Sequence, residues 1–220
     1  MSEIDWKRMQ QRTLSYLGDR KQEGAFALSG AIEACVEELE KEAHFLGCYE
    51  IYDLILAQNG FWQIRDLDLT LESDDIRRLF ASSDKVCVVA TTLGVSFERY
   101  LRRVMNRDMS HGVVLDAAAS AYLECRTDIF EEELGLGPHT FRFAPGYGDL
   151  DLSLNVVLMK AIKADKKIGL TPTGSGLFVP QKSMLALIGL GAQGTESIGC
   201  ESCARAESCA VRSRGAFCRR

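Results

Sequence analysis

Within eight residues, Arg142-Phe143-Ala144-Pro145-Gly146-Tyr147-Gly148-Asp149, the chain gathers a guanidinium, an aromatic ring and a stiff Pro-Gly turn. Arg142 can grip a carboxylate through two parallel hydrogen bonds, and Tyr147 can turn a π face toward a cation. Pro145 presets its own φ near about −65°, while Gly146 and Gly148 permit backbone conformations closed to other residues, so the main chain can approach a ligand closely. The same composition also suits a plain turn between a strand and a helix, with Arg142 in a surface salt bridge.

A second cluster lies at the end of the chain, where Cys200, Cys203, Cys209 and Cys218 follow one another as C-x2-C-x5-C-x8-C. Four thiolates at such spacing suit a tetrahedral zinc or an iron-sulfur cluster, although the spacing is neither the bacterial ferredoxin run nor a standard zinc ribbon. Arg205, Arg212 and Arg214 would favour the thiolate forms. The alternative is a terminus whose thiols bind nothing. The other four cysteines, Cys35, Cys48, Cys87 and Cys125, are scattered through apolar or helical contexts and read as small core residues.

Other motifs carry less. Residues 189–194 match G-x-G-x-x-G, but a dinucleotide loop must open a helix and be followed by a further strand and an acidic residue, whereas here a Cys-rich tail follows. His44, His111 and His139 are far apart in sequence and read as structural. No Walker loop, nucleophile elbow or H-E-x-x-H motif is present, and no residue is singled out as catalytic.

The elements that must position these groups follow from hydrophobic periodicity. Residues 5–17 and 25–44 have helical spacing, the second with Glu33, Glu37, Glu38 and Glu40 on a solvated face. Residues 45–56 and 60–71 alternate around a Gln58-Asn59-Gly60 turn and predict an antiparallel hairpin. Ser73 caps a short helix reaching Phe80, and residues 85–92 form a β-branched apolar run that predicts a buried strand. Helices are expected over 96–106, 110–134 and 153–164, the long one with a start rich in alanine and an end at Gly135-Leu136-Gly137-Pro138. Residues 175–180 and 183–190 predict two short strands. Strands do not alternate regularly with helices, so the expected class is α+β, a mostly antiparallel twisted sheet packed with helices.

The 220 residues are enough for one domain, expected over 1–195, followed by the Cys-rich tail at 196–220. A formal net charge of −5 gives no footprint for nucleic acid or an anionic membrane. No apolar run approaches the roughly 20 residues that span a bilayer, and the first residues lack a secretion signal, so a cytoplasmic location is expected.

Four pieces in order give the chain a resemblance to a known family. Thr91-Thr92-Leu93-Gly94 ends a strand and leads into a helix, and residues 115–124 (Leu-Asp-Ala-Ala-Ala-Ser-Ala-Tyr-Leu-Glu) fill the long helix. Arg142 to Tyr147 supplies R-x-x-P-G-Y, and Ile168-Gly169-Leu170-Thr171 through Ser175-Gly176-Leu177-Phe178-Val179-Pro180 to Ser183 completes the set. Together they resemble the activation domain of cobalamin-dependent methionine synthase over roughly residues 80 to 190.

That resemblance implies binding of S-adenosylmethionine and a role in the reductive remethylation of cob(II)alamin. Arg142 would meet the ligand carboxylate, Glu124 an amino or hydroxyl group, and Tyr147 with the Ala144 to Gly146 backbone the sulfonium. Cobalamin would reside on a partner, a methionine synthase or a related corrinoid protein, because the chain has no D-x-H-x-x-G corrinoid motif. An electron donor such as flavodoxin or ferredoxin is implied, unless the Cys tail replaces it. Gly148-Asp149 departs from the larger family members, which continue Tyr-Pro-Ala-Cys-Pro, and resembles shorter free-standing versions. The competing expectations are a non-enzymatic module that binds or assembles a corrinoid protein and carries a structural zinc tail, and an activator of a different corrinoid methyltransferase.

Overall fold

The computed structural model describes residues 4–19 and 25–191. The four tail cysteines, Cys200, Cys203, Cys209 and Cys218, therefore lie outside the described residues.

Among the described residues the strands are β1 (Leu46–Leu56), β2 (Trp62–Ile64), β3 (Leu69–Leu71), β4 (Lys85–Thr92), β5 (Thr171–Pro172), β6 (Phe178–Val179) and β7 (Ser183–Leu190). The helices are α1 (Trp6–Tyr16), α2 (Ala25–Glu42), α3 (Asp74–Leu79), α4 (Gly94–Arg107), α5 (Met109–Leu134), α6 (Leu154–Ala161) and α7 (Ala164–Lys167). The apolar run at 85–92 is the buried strand that its composition predicts. It pairs antiparallel with β1 on one side and β7 on the other, within a five-stranded sheet of order β3-β2-β1-β4-β7. The α+β class and its mostly antiparallel sheet are thus as expected.

Alternation along the strands gives the sheet two apolar faces. Register places Cys48 opposite Ala90, Ala90 opposite Leu185, and Val88 opposite Leu187. These residues share a core with Ile76 of α3, Leu158 and Met159 of α6, and Ala164 of α7. On the other face, Cys87, Val89, Ala186 and Ile188 meet Phe130 and Leu134 of α5. The far side of α5 supplies Leu115, Ala118 and Tyr122 to a third cluster with Met9 of α1, Cys35 and Leu39 of α2, and Phe97 and Leu101 of α4. α5 therefore buries apolar residues on two faces, one against the sheet and one against the other helices. Cys35, Cys48, Cys87 and Cys125 are buried and unbridged, as their contexts predict.

Four local expectations are corrected. The second arm of the hairpin is two short strands, β2 and β3, separated by a 3-10 turn at Arg65–Leu67 and by Asp68 in the left-handed region at φ 47°. The helix expected over 153–164 breaks after Ala161, where Lys163 takes φ 58°, and resumes as α7. The strand expected over 175–180 is only Phe178–Val179, paired with Thr171–Pro172 in a separate two-stranded ribbon. Glu38 also leaves the solvated face assigned to it, since it accepts from the Tyr100 hydroxyl and bonds the His111 ring, each at 2.7 Å.

Gly189, the first glycine of the motif at 189–194, has a packing reason. It lies within β7, where a Cβ would come within 2.7 Å of the Phe80 ring.

Candidate functional site

Residues 139–143 run along the outer edge of β7. Thr140 N donates to Gly189 O at 2.9 Å, Phe143 N to Leu187 O at 2.8 Å, and Leu187 N back to Phe143 O at 2.9 Å. The chain then turns. Tyr147 N donates to Ala144 O at 3.0 Å across Pro145 and Gly146, and Gly146 has φ 91°, as the third residue of a type II turn requires. Gly146 N is committed to Leu150 O at 2.8 Å, so among these amides it is structural. Gly148, at φ 54°, sits so close to α3 that a Cβ would overlap the Asp75 carboxylate. Asp149 then caps α3, accepting from the Ser73 hydroxyl, from Asp74 N at 2.7 Å and from Asp75 N at 3.3 Å. Although its partial burial works the other way, these bonds hold the Asp149 carboxyl below its ordinary range.

The turn carries Arg142 to the edge of α5. Its guanidinium donates to Asp128 Oδ1 at 2.7 Å and to Glu131 Oε1 at 2.9 Å, and the side chain is only 16% exposed. Burial opposes the charged form, but the two carboxylates outweigh it and hold the Arg142 pKa above its usual value. Burial pushes the Glu131 carboxyl up against the pull of Arg142.

Asp128 belongs to a stripe of polar residues four apart on α5, namely Asp116, Ser120, Glu124 and Asp128. Each position is satisfied from outside the helix. Lys182 reaches Asp116 at 2.9 Å and Ser120 Oγ at 2.8 Å. Arg12 of α1 bridges Glu124 at 3.2 Å and Asp128 at 2.9 Å, and Arg8 adds a pair to Asp128 at 3.1 Å. The Tyr16 hydroxyl donates to Glu124 Oε1. Burial and the Glu124 carboxylate together hold the Tyr16 phenol far above its usual pKa, and the nearby Tyr147 acts in the same direction.

Beside this network a cleft of about 340 Å³ opens between the 144–155 segment, β6 and the start of β7. That volume is within the roughly 300–1,000 Å³ of small-molecule sites. Ala144, Pro145, Leu152, Leu177 and Phe178 give it an apolar lining, and Tyr147, Asn155, Gln181 and Ser183 supply polar groups. Asn155 is fixed by its Nδ2 bond to Gly176 O at 2.9 Å, and Gln181 by its backbone N bond to the buried Glu98 at 3.0 Å.

Of the residues singled out from sequence, Ala144 and Tyr147 line the cleft, and Gly146 shapes its turn. Arg142 and Glu124 are not among its lining residues and are connected to each other through Asp128 and Arg12. Sequence reasoning passed over Arg8, Arg12, Tyr16, Asp128 and Glu131. The four-residue spacing of polar groups on an otherwise apolar helix was the signal available for Asp128. Arg142 has the ion pairs that a plain turn would give it, but they are half-buried where a surface bridge was the alternative.

No group of three or more His, Cys, Asp or Glu side chains suited to a metal occurs among the described residues, and no helix there is long and apolar enough to cross a membrane.

No protein-family model matches the chain, and no curated protein does. Solved structures do. A crystal structure of the MetH reactivation domain bound to AdoHcy is similar to this chain with a TM-score of 0.63 and 12% identity, over 96% of this chain and 83% of that one. At that identity the likeness defines the fold: a curled antiparallel sheet packed with helices, of the kind found in the MetH reactivation domain.

Proposed function

We propose that the chain binds S-adenosylmethionine in the 340 Å³ cleft and serves the reductive remethylation of a corrinoid held by a separate protein, a methionine synthase or a related corrinoid protein. The observation that carries this reading is the placement of the R-x-x-P-G-Y turn, with an apolar cleft on one side and a network of paired charges on the other. The fold likeness to a domain crystallised with AdoHcy supports it.

An S-adenosyl ligand has a flat apolar base and a zwitterionic amino-acid end. The base fits against Pro145, Leu152 and Leu177. The carboxylate of the other end matches Arg142, and its ammonium matches Glu124. Tyr147 and the Ala144 carbonyl would give a sulfonium electron-rich neighbours. The methyl group would leave the sulfonium for the partner's cobalt, which also takes one electron from a donor such as flavodoxin or ferredoxin. The chain's own part is to bind and orient, so none of its residues need act as an acid or base.

The tail thiols Cys200, Cys203, Cys209 and Cys218 are a donor set for zinc or an iron-sulfur cluster. Anaerobic purification with iron, sulfide and zinc analysis separates the two. Brown protein carrying iron and sulfide supports a role in electron delivery, and colourless protein with stoichiometric zinc supports a structural tail.

Titration with S-adenosylmethionine by calorimetry tests the main reading, alone and with a corrinoid protein present. No heat of binding up to millimolar ligand in either case overturns it. The pairing of Arg142 with Asp128 and Glu131 favours a second reading, in which the fold is a non-enzymatic module for binding or assembling a corrinoid protein. Binding of that protein without any response to the ligand supports the second reading.

A further inference from the structure

Glu124 is already occupied. The Tyr16 hydroxyl donates to one of its oxygens and Arg12 Nε lies 3.2 Å from the other, so a ligand ammonium at Glu124 would compete with groups from α1 for the same carboxylate.

That helix packs along α5 through apolar and polar contacts together. It has 11 residues, of which Met9, Thr13 and Leu14 are buried. Much of the remaining attachment is polar: Arg8 and Arg12 to Asp128, Arg12 to Glu124 and to Cys125 Sγ, and Tyr16 to Glu124. Its C-terminal residue, Tyr16, is the one that meets Glu124, the carboxylate a ligand ammonium would take.

Charge counting points the same way. Three guanidiniums, Arg8, Arg12 and Arg142, face three carboxylates, Glu124, Asp128 and Glu131, so the network is balanced without a ligand. An amino-acid end brings one carboxylate and one ammonium, and can replace an internal pair without leaving a charge over. An uncompensated buried charge would be strongly unfavourable, so a one-for-one exchange is the route open to this site.

We infer that α1 is a clasp displaced by the ligand: Tyr16 and Arg12 hold Glu124 in the free protein, and the amino-acid end of an S-adenosyl ligand takes Glu124 in their place and loosens the C-terminal end of the helix. This rests on the ligand proposed above. Because coupling is reciprocal, whatever weakens the clasp strengthens the ligand. The affinity of the site is then set partly by residues that do not line the cleft.

The test uses the full chain and its two tryptophans, Trp6 in α1 and Trp62 in β2. A Trp62→Phe variant leaves Trp6 as the sole indole reporter. S-Adenosylmethionine should bind by calorimetry and shift the Trp6 emission. Tyr16→Phe should bind about tenfold more tightly, the size expected when one hydrogen bond to a charged group no longer competes. 5′-Methylthioadenosine lacks the amino-acid end, so it should leave Trp6 emission unchanged and bind Tyr16→Phe and the parent alike. If S-adenosylmethionine binds but Trp6 emission stays fixed and Tyr16→Phe changes affinity less than twofold, the clasp is overturned and the ligand assignment stands. If neither the parent nor Tyr16→Phe binds up to millimolar concentration, both are overturned.

Discussion

Asp149 accepts a hydrogen bond from the backbone amide of Asp74 at 2.7 Å, so the turn at 144–147 is fastened to the first turn of α3 by a carboxylate 75 residues away in sequence. With Gly148 packed against Asp75, this makes Gly-Asp after the Pro-Gly-Tyr a mounting for the turn. The departure of this chain from Tyr-Pro-Ala-Cys-Pro has a structural cause within its own fold.

Asp149→Ala should therefore lower stability by about 1 kcal/mol, the usual cost of a lost helix cap, read as a lower denaturant midpoint at neutral pH. The pH dependence has a definite sign. Since the folded-state pKa of Asp149 is depressed, its contribution is present above the unfolded value, about 3.9, and is lost as pH falls through the lower folded value. Parent and Asp149→Asn should converge in stability as the pH is brought below about 4. Curves that stay parallel from neutral to acid pH would refute the assignment.

Gly148→Ala tests the other half of the mounting. The position combines φ 54° with overlap of any Cβ on Asp75, a buried carboxylate paired with Arg78 at 2.6 Å. A loss of about 2 kcal/mol or more is expected from thermal unfolding, well beyond an ordinary surface change.

Arg142 needs a paired comparison. Arg142→Ala strands Asp128 and Glu131 without their cation and should cost about 3–5 kcal/mol in stability, so its loss of ligand binding says little by itself. Arg142→Lys keeps the charge but not the planar fork. It should stay folded by circular dichroism and weaken S-adenosylmethionine at least about tenfold, because a lysine cannot serve two internal carboxylates and a third from the ligand.

Thiol chemistry separates two classes of cysteine. Burial pushes the Cys35 and Cys87 thiols up to about 12 and the Cys48 thiol up to about 11. Iodoacetamide at pH 8 should leave all three unmodified in native protein and modify them in denaturant, as read by peptide mass spectrometry. Native labelling of Cys87, on the sheet face under α5, would contradict the packing.

Much of this arrangement was legible in the sequence. Residues 85–92 could only be an interior strand, and the alanines of α5 announced close packing. The turn at 144–147 follows from Pro-Gly. What the sequence concealed is long-range. Arg65-Asp66-Leu67-Asp68 keeps enough alternation to pass for strand, and only the left-handed Asp68 breaks it. Arg12 and Tyr16 look like the solvated face of an ordinary amphipathic helix, because their partners, Glu124 and Asp128, are over 100 residues away. Local periodicity reports which face is apolar, and it is silent on which charges meet across the fold.

The bonds from residues 139–143 to β7 carry one more consequence. β7 ends the five-stranded sheet, and an unpaired edge strand this apolar is a template for pairing with another molecule. The 139–143 segment covers that edge, so it works as a guard against self-association. Variants that unseat it should announce themselves as turbidity in a concentrated sample before any assay of function is run.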